Sequence, residues 1–311
     1  MKRQKLQARE IASGLLFPEG PIAMPDGSVV VVEIMGNLVR ITPDGGRHVI
    51  AELGGGPNGA AIGPDGKCYV CNNGGFNWAQ AEDGYRRPVG RADDYRGGRI
   101  ERVDLETGAA ETLYSHCDGE PLKGPNDIVF DGKGGFWFTD HGKTYGRLMD
   151  RGALYYALAD GSSIKEVAFP LLTPNGVGLS PDGATLYVSE TETGRLWSYP
   201  VVAPGELAKE PWPSPNGGKF LGDLSGYHRF DSIAVEAGGN ICVATLVSGG
   251  ITVFSPTGEA LEFHEASEGY CTNICFGGPD LGTAYITLSG YGTLIAVDWP
   301  RPGLPPAHLN L

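Results

Sequence analysis

Six short segments of the sequence each open with a polar residue that can offer an oxygen atom, followed by an apolar run and a turn. Aligned on this register, the opening residues are Glu19, Asn58, Asn126, Asn175, Asp231 and Asn273. Carboxylate and amide oxygens without Cys or His are hard ligands, which suit calcium or magnesium better than a zinc site of nitrogen and sulfur. If the fold brings these residues together, they can hold one divalent cation.

The alternative is that these residues only begin turns. Asn and Asp are common in the turns that precede strands, so each of them has a structural explanation. Glu19 is harder to explain in this way, because Glu is a weak turn former and it stands at the same register as the other five residues.

The segments that must position these residues repeat along the chain. They read PEGPIAMPDG, PNGAAIGPDG, PNDIVFDGKG, PNGVGLSPDG, FDSIAVEAGG and TNICFGGPDL. In every repeat a second and a third apolar run follow, rich in the β-branched and aromatic residues typical of strands, and the third run opens with glycine. A fourth run follows in five repeats, and KLQAREIASGL near the N-terminus is available to supply it for the sixth.

Six four-stranded antiparallel units in series are typical of a β-propeller. We therefore predict an all-β, six-bladed propeller formed by a single domain over residues 1–311, with an N-terminal strand closing the last blade; an irregular double sandwich would not explain six repeats in register. The first strand of each propeller blade lines the central axis. The six polar residues are thus expected to form a ring at one mouth of the channel.

Composition and charge narrow the partners. The 311 residues carry a formal charge of −13 with a pI near 4.9, which disfavours binding to nucleic acid or to an anionic membrane surface. The N-terminal stretch lacks the uninterrupted apolar core of a secretory signal, and no segment approaches transmembrane length. The expected location is the cytoplasm, and the expected partner is a small molecule.

The six cysteines are too sparse for the disulfide framework of a secreted protein. Cys68 and Cys71 have the spacing of redox and zinc sites, but they lie in the strand-like run KCYVCNN. Residues three apart on a strand point to opposite faces, so we predict buried structural thiols here.

A long connection in the second repeat, residues 73–96, exceeds the length of a hairpin turn. It could fold over the ring as a lid, with Trp78, Tyr85 and Arg96 facing a substrate, or it could be a solvated excursion. His141 and His228 are expected near the same mouth and are further candidates for contact with the substrate.

The residues also carry a resemblance that extends over the whole chain. FPEGP around Glu19, GPND around Asn126, PNGVGLSPDG around Asn175 and the aspartate of RFDSIAV resemble the gluconolactonase, senescence marker protein and luciferin-regenerating enzyme family. The diisopropylfluorophosphatases are similar at a greater distance.

The resemblance implies a six-bladed hydrolase of lactones or organophosphates with one divalent metal ion. Carried over by position, the implied metal ligands are Glu19, Asn126, Asn175 and Asp231. Calcium fits best, and magnesium, manganese, zinc and iron remain possible. Asp127 follows Asn126 as in many members and is a candidate for substrate contact.

Three positions fit the family pattern less closely. Asn58 and Asn273 belong to the ring, but the family pattern does not clearly claim them, and we consider them for contact with the substrate. Sugar lactonases have an arginine two residues before the position of Asn126, where this chain has Gly124. A polyhydroxylated sugar lactone is therefore less expected.

The corresponding hypothesis is that the metal polarises the carbonyl of a small lactone or ester, and that Asp231 acts as general base for water. Direct attack by Asp231, with a covalent intermediate, is the alternative. The sequence contains neither a G-x-S-x-G nucleophile elbow nor a P-loop. The competing functions are a non-catalytic propeller that binds a protein or ligand, and an organophosphate hydrolase.

Overall fold

The computed structural model describes residues 1–309, and their strands form six blades around a central axis. The prediction of an all-β, six-bladed propeller is confirmed. The four strands of each blade, from the axis outward, are Pro18–Ala23, Val29–Glu33, Asn37–Ile41 and Arg47–Glu52 in blade 1; Pro57–Ile62, Cys68–Asn72, Arg99–Val103 and Ala110–Tyr114 in blade 2; Pro125–Phe130, Gly135–Asp140, Gly152–Leu158 and Ile164–Leu171 in blade 3; Pro174–Leu179, Thr185–Glu190, Arg195–Ala203 and Lys219–Asp223 in blade 4; Arg229–Val235, Ile241–Leu246, Gly250–Phe254 and Ala260–Glu265 in blade 5; and Cys271–Gly277, Thr283–Leu288, Thr293–Asp298 and Ala8–Ala12 in blade 6.

The N-terminal residues fasten two blades. Ala8–Ala12 pairs antiparallel with Thr293–Asp298 and closes blade 6, as the sequence predicts. Lys2–Lys5 adds a fifth strand to blade 5, parallel to Ala260–Glu265, and this pairing is not predicted. Joining the ends of the chain in this way closes the ring and leaves only short sheet edges.

Short strand pairs lie outside the four-stranded pattern. Phe76–Gln80 and Arg86–Arg91 form a hairpin in blade 2, and two smaller hairpins pair His116–Cys117 with Glu120–Pro121 and Thr144–Tyr145 with Leu148–Met149. Glu206–Leu207 pairs with the long third strand of blade 4. Among the described residues there is no helix of the length and apolarity needed to cross a membrane.

The apolar core lies between blades, where the facing sides of neighbouring sheets meet. Cys68 and Val70 pack toward blade 1, while Tyr69 and Cys71 of the same strand pack toward blade 3. Because both faces of each sheet are covered, the second strands are continuous apolar runs rather than alternating ones.

The prediction of buried structural cysteines is confirmed. Cys68 and Cys71 are free and buried on opposite faces of their strand. Burial raises the pKa of the Cys68 thiol to about 12 and that of Cys71 well above its usual value. Neither thiol is poised for redox or metal chemistry, since both require the thiolate.

The innermost strands surround a cavity of about 410 Å³ along the axis. At one end it reaches the ring residue Asn273 and Asp127, which follows the ring residue Asn126, and at the other it meets the C-terminal segment from Leu304 to Leu309. The channel therefore lies beneath the ring.

Candidate metal centre

The innermost strands share an irregularity at the predicted ring. In each blade the pairing between the first and second strands shifts register beside the ring residue, which is the signature of a β-bulge. A bulge re-aims a side chain that would otherwise point between the sheets. All six predicted ring residues are 2–8% exposed: Glu19, Asn58, Asn126, Asn175, Asp231 and Asn273.

Glycine follows the ring residue in three blades because the strands approach closely there. A Cβ atom at Gly20 would lie 2.5 Å from the backbone oxygen of Asn58, and one at Gly59 would lie 2.5 Å from that of Asn126. At Gly176 it would lie 2.6 Å from the backbone nitrogen of Ile233. Only glycine permits this contact, so it brings neighbouring ring residues together.

Hydroxyl groups on the second strands link ring positions of neighbouring blades. Ser189 Oγ accepts a hydrogen bond from Gly176 N at 2.8 Å and donates to the backbone oxygen of Asp231 at 2.6 Å. Thr139 Oγ1 likewise accepts from Asp127 N at 3.1 Å and donates to the backbone oxygen of Asn175. The backbone beneath the ring is thus fixed independently of the side chains above it.

Two carboxylates of the ring, Glu19 and Asp231, and that of the neighbouring Asp127 are all buried. Burial, followed by the negative charge of Glu19, raises the pKa of Asp127 to about 7 and the pKa of Asp231 well above its usual value. Burial also raises the pKa of Glu19 to about 7, although Asn273 Nδ2 and Gly20 N donate to its Oε2 at 2.7 and 2.9 Å. Buried like charges that repel one another are balanced when a cation lies between them.

Two amide oxygens of the ring have no partner. Asn126 Oδ1 and Asn175 Oδ1 are buried and accept no hydrogen bond from residues 1–309, although Asn175 Nδ2 donates to Thr191 Oγ1 at 3.0 Å. Buried acceptors are normally satisfied, because leaving one unpaired costs about 1–3 kcal/mol. Two orphaned oxygens beside two carboxylates fit a hard divalent cation such as calcium.

The described residues contain no group of three or more His, Cys, Asp or Glu side chains with metal-binding geometry. A cation at the ring would therefore need the amide oxygens in addition to carboxylates. Within the ring, Glu19 and Asp231 carry the carboxylates, and Asn126 and Asn175 carry the buried amide oxygens without a partner.

The other ring positions differ in their surroundings. Asn273 is fully engaged, since it donates to Glu19 and its Oδ1 accepts from Ile274 N at 2.7 Å. Asn273 therefore orients Glu19 and has no free amide oxygen to offer to a cation. The buried side chain of Asn58 makes no hydrogen bond with the described residues, and Asp127 faces the channel with Oδ1 accepting from Ile128 N at 3.0 Å.

The long connection of blade 2 forms a hairpin that reaches other blades at the mouth. The Trp78 ring lies 4.9 Å from that of Phe17 in blade 1, and the Tyr85 ring lies 5.7 Å from that of Tyr270 in blade 6. At the hairpin tip, Tyr291 Oη donates to Asp83 Oδ2 at 2.9 Å. The hairpin therefore extends from blade 2 to blade 6; Arg96, by contrast, is exposed near its end.

Lys143, which the sequence analysis does not single out, fixes the base of the hairpin. It is only 2% exposed, and its Nζ donates to Asn73 Oδ1 at 2.8 Å and to the backbone oxygen of Gly75 at 2.9 Å. The same nitrogen lies 3.8 Å from the centre of the Phe76 ring. Burial lowers the pKa of Lys143 to about 7.

The two predicted histidines differ. His141 directly follows the second strand of blade 3, and its backbone nitrogen donates to Gly124 O at 2.8 Å. Burial, followed by the charge of Lys143, lowers the pKa of His141 to about 4, so the imidazole of His141 is neutral near pH 7. His228 instead contacts Ser248 Oγ of blade 5 at 3.2 Å and, at 3.0 Å, the backbone oxygen of Ser225 in the connection from blade 4.

Comparison with known proteins gives consistent matches. The profile of the SMP-30/Gluconolactonase/LRE-like region matches residues 17–290. A gluconolactonase from Zymomonas mobilis is 27% identical over 294 residues, which are 86% of this chain and 75% of that protein. A protein named lactonase drp35 from Staphylococcus saprophyticus is 30% identical over 205 residues, 66% of this chain and just over half, 55%, of that protein.

Solved structures share the fold. A gluconolactonase from Xanthomonas campestris superposes with a TM-score of 0.72 at 22% identity, covering 94% of this chain and 91% of that chain. Regucalcin from Agrobacterium tumefaciens, described as a calcium-binding protein, gives 0.77 at 19% identity over 100% of both chains.

Proposed function

Because this chain belongs to the SMP-30/gluconolactonase/LRE-like family, we propose that it is a metal-dependent hydrolase that opens a small lactone. The observation that carries the proposal is the pair of orphaned amide oxygens, Asn126 Oδ1 and Asn175 Oδ1, set among the buried carboxylates of the ring. The relatives named gluconolactonase and lactonase support the choice of substrate.

The proposed ligands are Glu19, Asn126, Asn175 and Asp231, and calcium is the proposed ion. A divalent cation bound there would supply Lewis acidity, which makes the carbonyl carbon of a lactone more electrophilic. The ring residues would fix the position of that carbonyl, and Asn273 would hold Glu19 in place through their 2.7 Å hydrogen bond. The hairpin would exclude bulk water from the reacting group.

Asp231 is the proposed general base. Its backbone oxygen accepts a hydrogen bond from Ser189 Oγ at 2.6 Å, and its side chain is buried at the ring. In this route it accepts a proton from the attacking water. In the alternative route its oxygen attacks the carbonyl carbon, the ring C–O bond breaks and the ring oxygen leaves as the alcohol, and the resulting acyl-aspartate is then hydrolysed by water.

A single turnover in heavy-oxygen water separates the two routes. Hydrolysis of an acyl-aspartate at the Asp231 carbonyl leaves a solvent oxygen in that carboxylate, whereas general-base catalysis leaves it unlabelled. Mass spectrometry of the peptide that contains Asp231 would detect the difference.

The proposed activity is tested with chelator-stripped protein and a panel of aldono-, γ- and aromatic lactones plus one organophosphate, with acid release recorded before and after addition of calcium. We expect at least one lactone to be hydrolysed only with the metal, and Asp231→Asn to lower kcat for that lactone by about 100-fold or more. Glu236→Gln is the matched control, because Glu236 is also buried but is bound to Arg301 and Trp299 away from the ring. Absence of lactone turnover with calcium, magnesium, manganese, zinc and iron would contradict the proposal.

A further inference from the structure

At the mouth above the ring, one position of the repeat carries a charged side chain in a single blade. Two residues before the ring residue, the six blades carry Phe17, Gly56, Gly124, Thr173, Arg229 and Cys271. In blade 3 the backbone leaves no room for a side chain there, since a Cβ atom at Gly124 would lie 2.7 Å from Gly142 O. Blade 5 therefore provides the only cation of this register.

Arg229 has one N–H group without a hydrogen-bond acceptor among the described residues. It opens the strand that carries Asp231, and its Nη2 donates to Glu192 Oε2 at 2.8 Å. Its Nε, however, is buried and has no acceptor among residues 1–309. A buried guanidinium N–H without an acceptor is costly, and a site that keeps one is suited to an acceptor brought by a ligand.

The charge of Arg229 acts on groups of two other blades. Tyr270 of blade 6 lies under the hairpin, with its ring 5.6 Å from that of Phe17, and its hydroxyl bonds no group of the described residues. Burial raises the pKa of Tyr270, and the positive charges of Arg229 and Arg87 lower it. The charge of Arg229 also lowers the pKa of His141 in blade 3.

We propose that Arg229 determines substrate specificity: its Nε–H donates to an acceptor oxygen that the substrate carries outside the lactone group. The inference rests on the proposed lactone hydrolysis. The ring ligands already serve the carbonyl that reacts, so the oxygen bound by Arg229 belongs to a substituent, either a carboxylate or a hydroxyl. Lactones with such a substituent are therefore preferred over unsubstituted ones.

The ion pair with Glu192 explains why both kinds of oxygen remain candidates. Glu192 balances the charge of Arg229 but occupies Nη2 and leaves Nε free. A carboxylate would form a charge-assisted hydrogen bond, and a hydroxyl would form a weaker one. Comparison of lactones that carry a carboxylate with lactones that carry a hydroxyl shows which of the two oxygens Arg229 binds.

The test uses Arg229→Met and three γ-lactones: unsubstituted, hydroxyl-bearing and carboxylate-bearing. We expect kcat/KM for at least one substituted lactone to fall about 10- to 100-fold, as for loss of a hydrogen bond to a charged group, with little change for the unsubstituted lactone. Glu192→Gln is the matched control, because it removes the ion pair and keeps Nε; we expect it to retain the wild-type preference. Arg229→Lys keeps the charge without Nε, and it decides the question if the Met variant does not fold.

Two results would overturn the inference: an equal loss on all three lactones, or the same loss of preference in Glu192→Gln as in Arg229→Met. If no lactone is hydrolysed at all, the proposed function fails separately. The inference is then decided by calorimetry with the matching lactams, for which tighter binding of a substituted lactam must depend on Arg229.

Discussion

Replacement of Glu19 by Gln should stabilise the protein when no cation is present. Without a cation, ionised Glu19 is buried near two further carboxylates, and its pKa is raised from 4.5 to about 7, mainly by burial. A carboxyl whose pKa is higher in the folded state costs nothing below its unfolded pKa, and the cost grows with pH until it is complete above the folded pKa. At about 1.4 kcal/mol per pH unit, the full cost is about 3 kcal/mol.

The assay is urea unfolding of chelator-treated protein, followed by tryptophan fluorescence at pH 5 and pH 8. We expect Glu19→Gln to be more stable than wild type by up to about 3 kcal/mol at pH 8 and by less than about 1 kcal/mol at pH 5. Calcium at a hundred times its Kd should stabilise wild type by about 2.7 kcal/mol and the variant much less.

Glu236→Gln is the matched control for this experiment, because burial of Glu236 is outweighed by hydrogen bonds from Arg301, Trp299 and Asn240 that keep its pKa below the usual value. The same substitution should therefore destabilise the protein at pH 8, with or without calcium. The reasoning is refuted if Glu19→Gln destabilises the chelated protein as Glu236→Gln does, or if calcium stabilises Glu19→Gln as much as wild type.

Two further substitutions and one labelling experiment test other parts of the structure. Asp231→Asn should lower kcat by about 100-fold or more because it removes the proposed base, and steady-state kinetics at saturating calcium would contradict this role if kcat were unchanged. Tyr291→Phe removes the hydrogen bond to the hairpin tip, so trypsin should cleave the protein at the hairpin arginines faster than it cleaves wild type. The control is Tyr227→Phe, because Tyr227 is exposed and lies outside the hairpin. Equal cleavage rates in the two variants would show that the hydrogen bond of Tyr291 does not hold the hairpin in place. Cys68 and Cys71 should resist alkylation at pH 8 in the native protein, as measured by mass spectrometry, since their thiols are buried and protonated; rapid labelling would show that the strand opens.

The repeat made most of the fold predictable. Each blade buries both faces of its sheet, so the apolar runs recur in register and the missing fourth strand of blade 6 points to the N-terminus. Lys2–Lys5 escaped prediction because a parallel pairing on an outer edge needs only backbone groups and leaves no apolar pattern.

The ring could be located from the sequence because the repeat places equivalent residues around one axis. The sequence could not predict which ring oxygens are left without hydrogen-bond partners. That depends on the β-bulges and on hydroxyl groups from neighbouring strands, such as that of Ser189. Lys143 and Arg229 were also missed. A buried lysine leaves no sequence signal, and the charge of Arg229 gains meaning only from its place beside Asp231.

The most direct test of the central claim is anomalous diffraction from crystals grown with manganese in place of calcium. We predict one peak at the ring, in contact with side-chain oxygens of Glu19, Asn126, Asn175 and Asp231, and loss of that peak in Glu19→Gln. A ring without a peak, with the amide oxygens of Asn126 and Asn175 bonded to protein donors instead, would contradict the account.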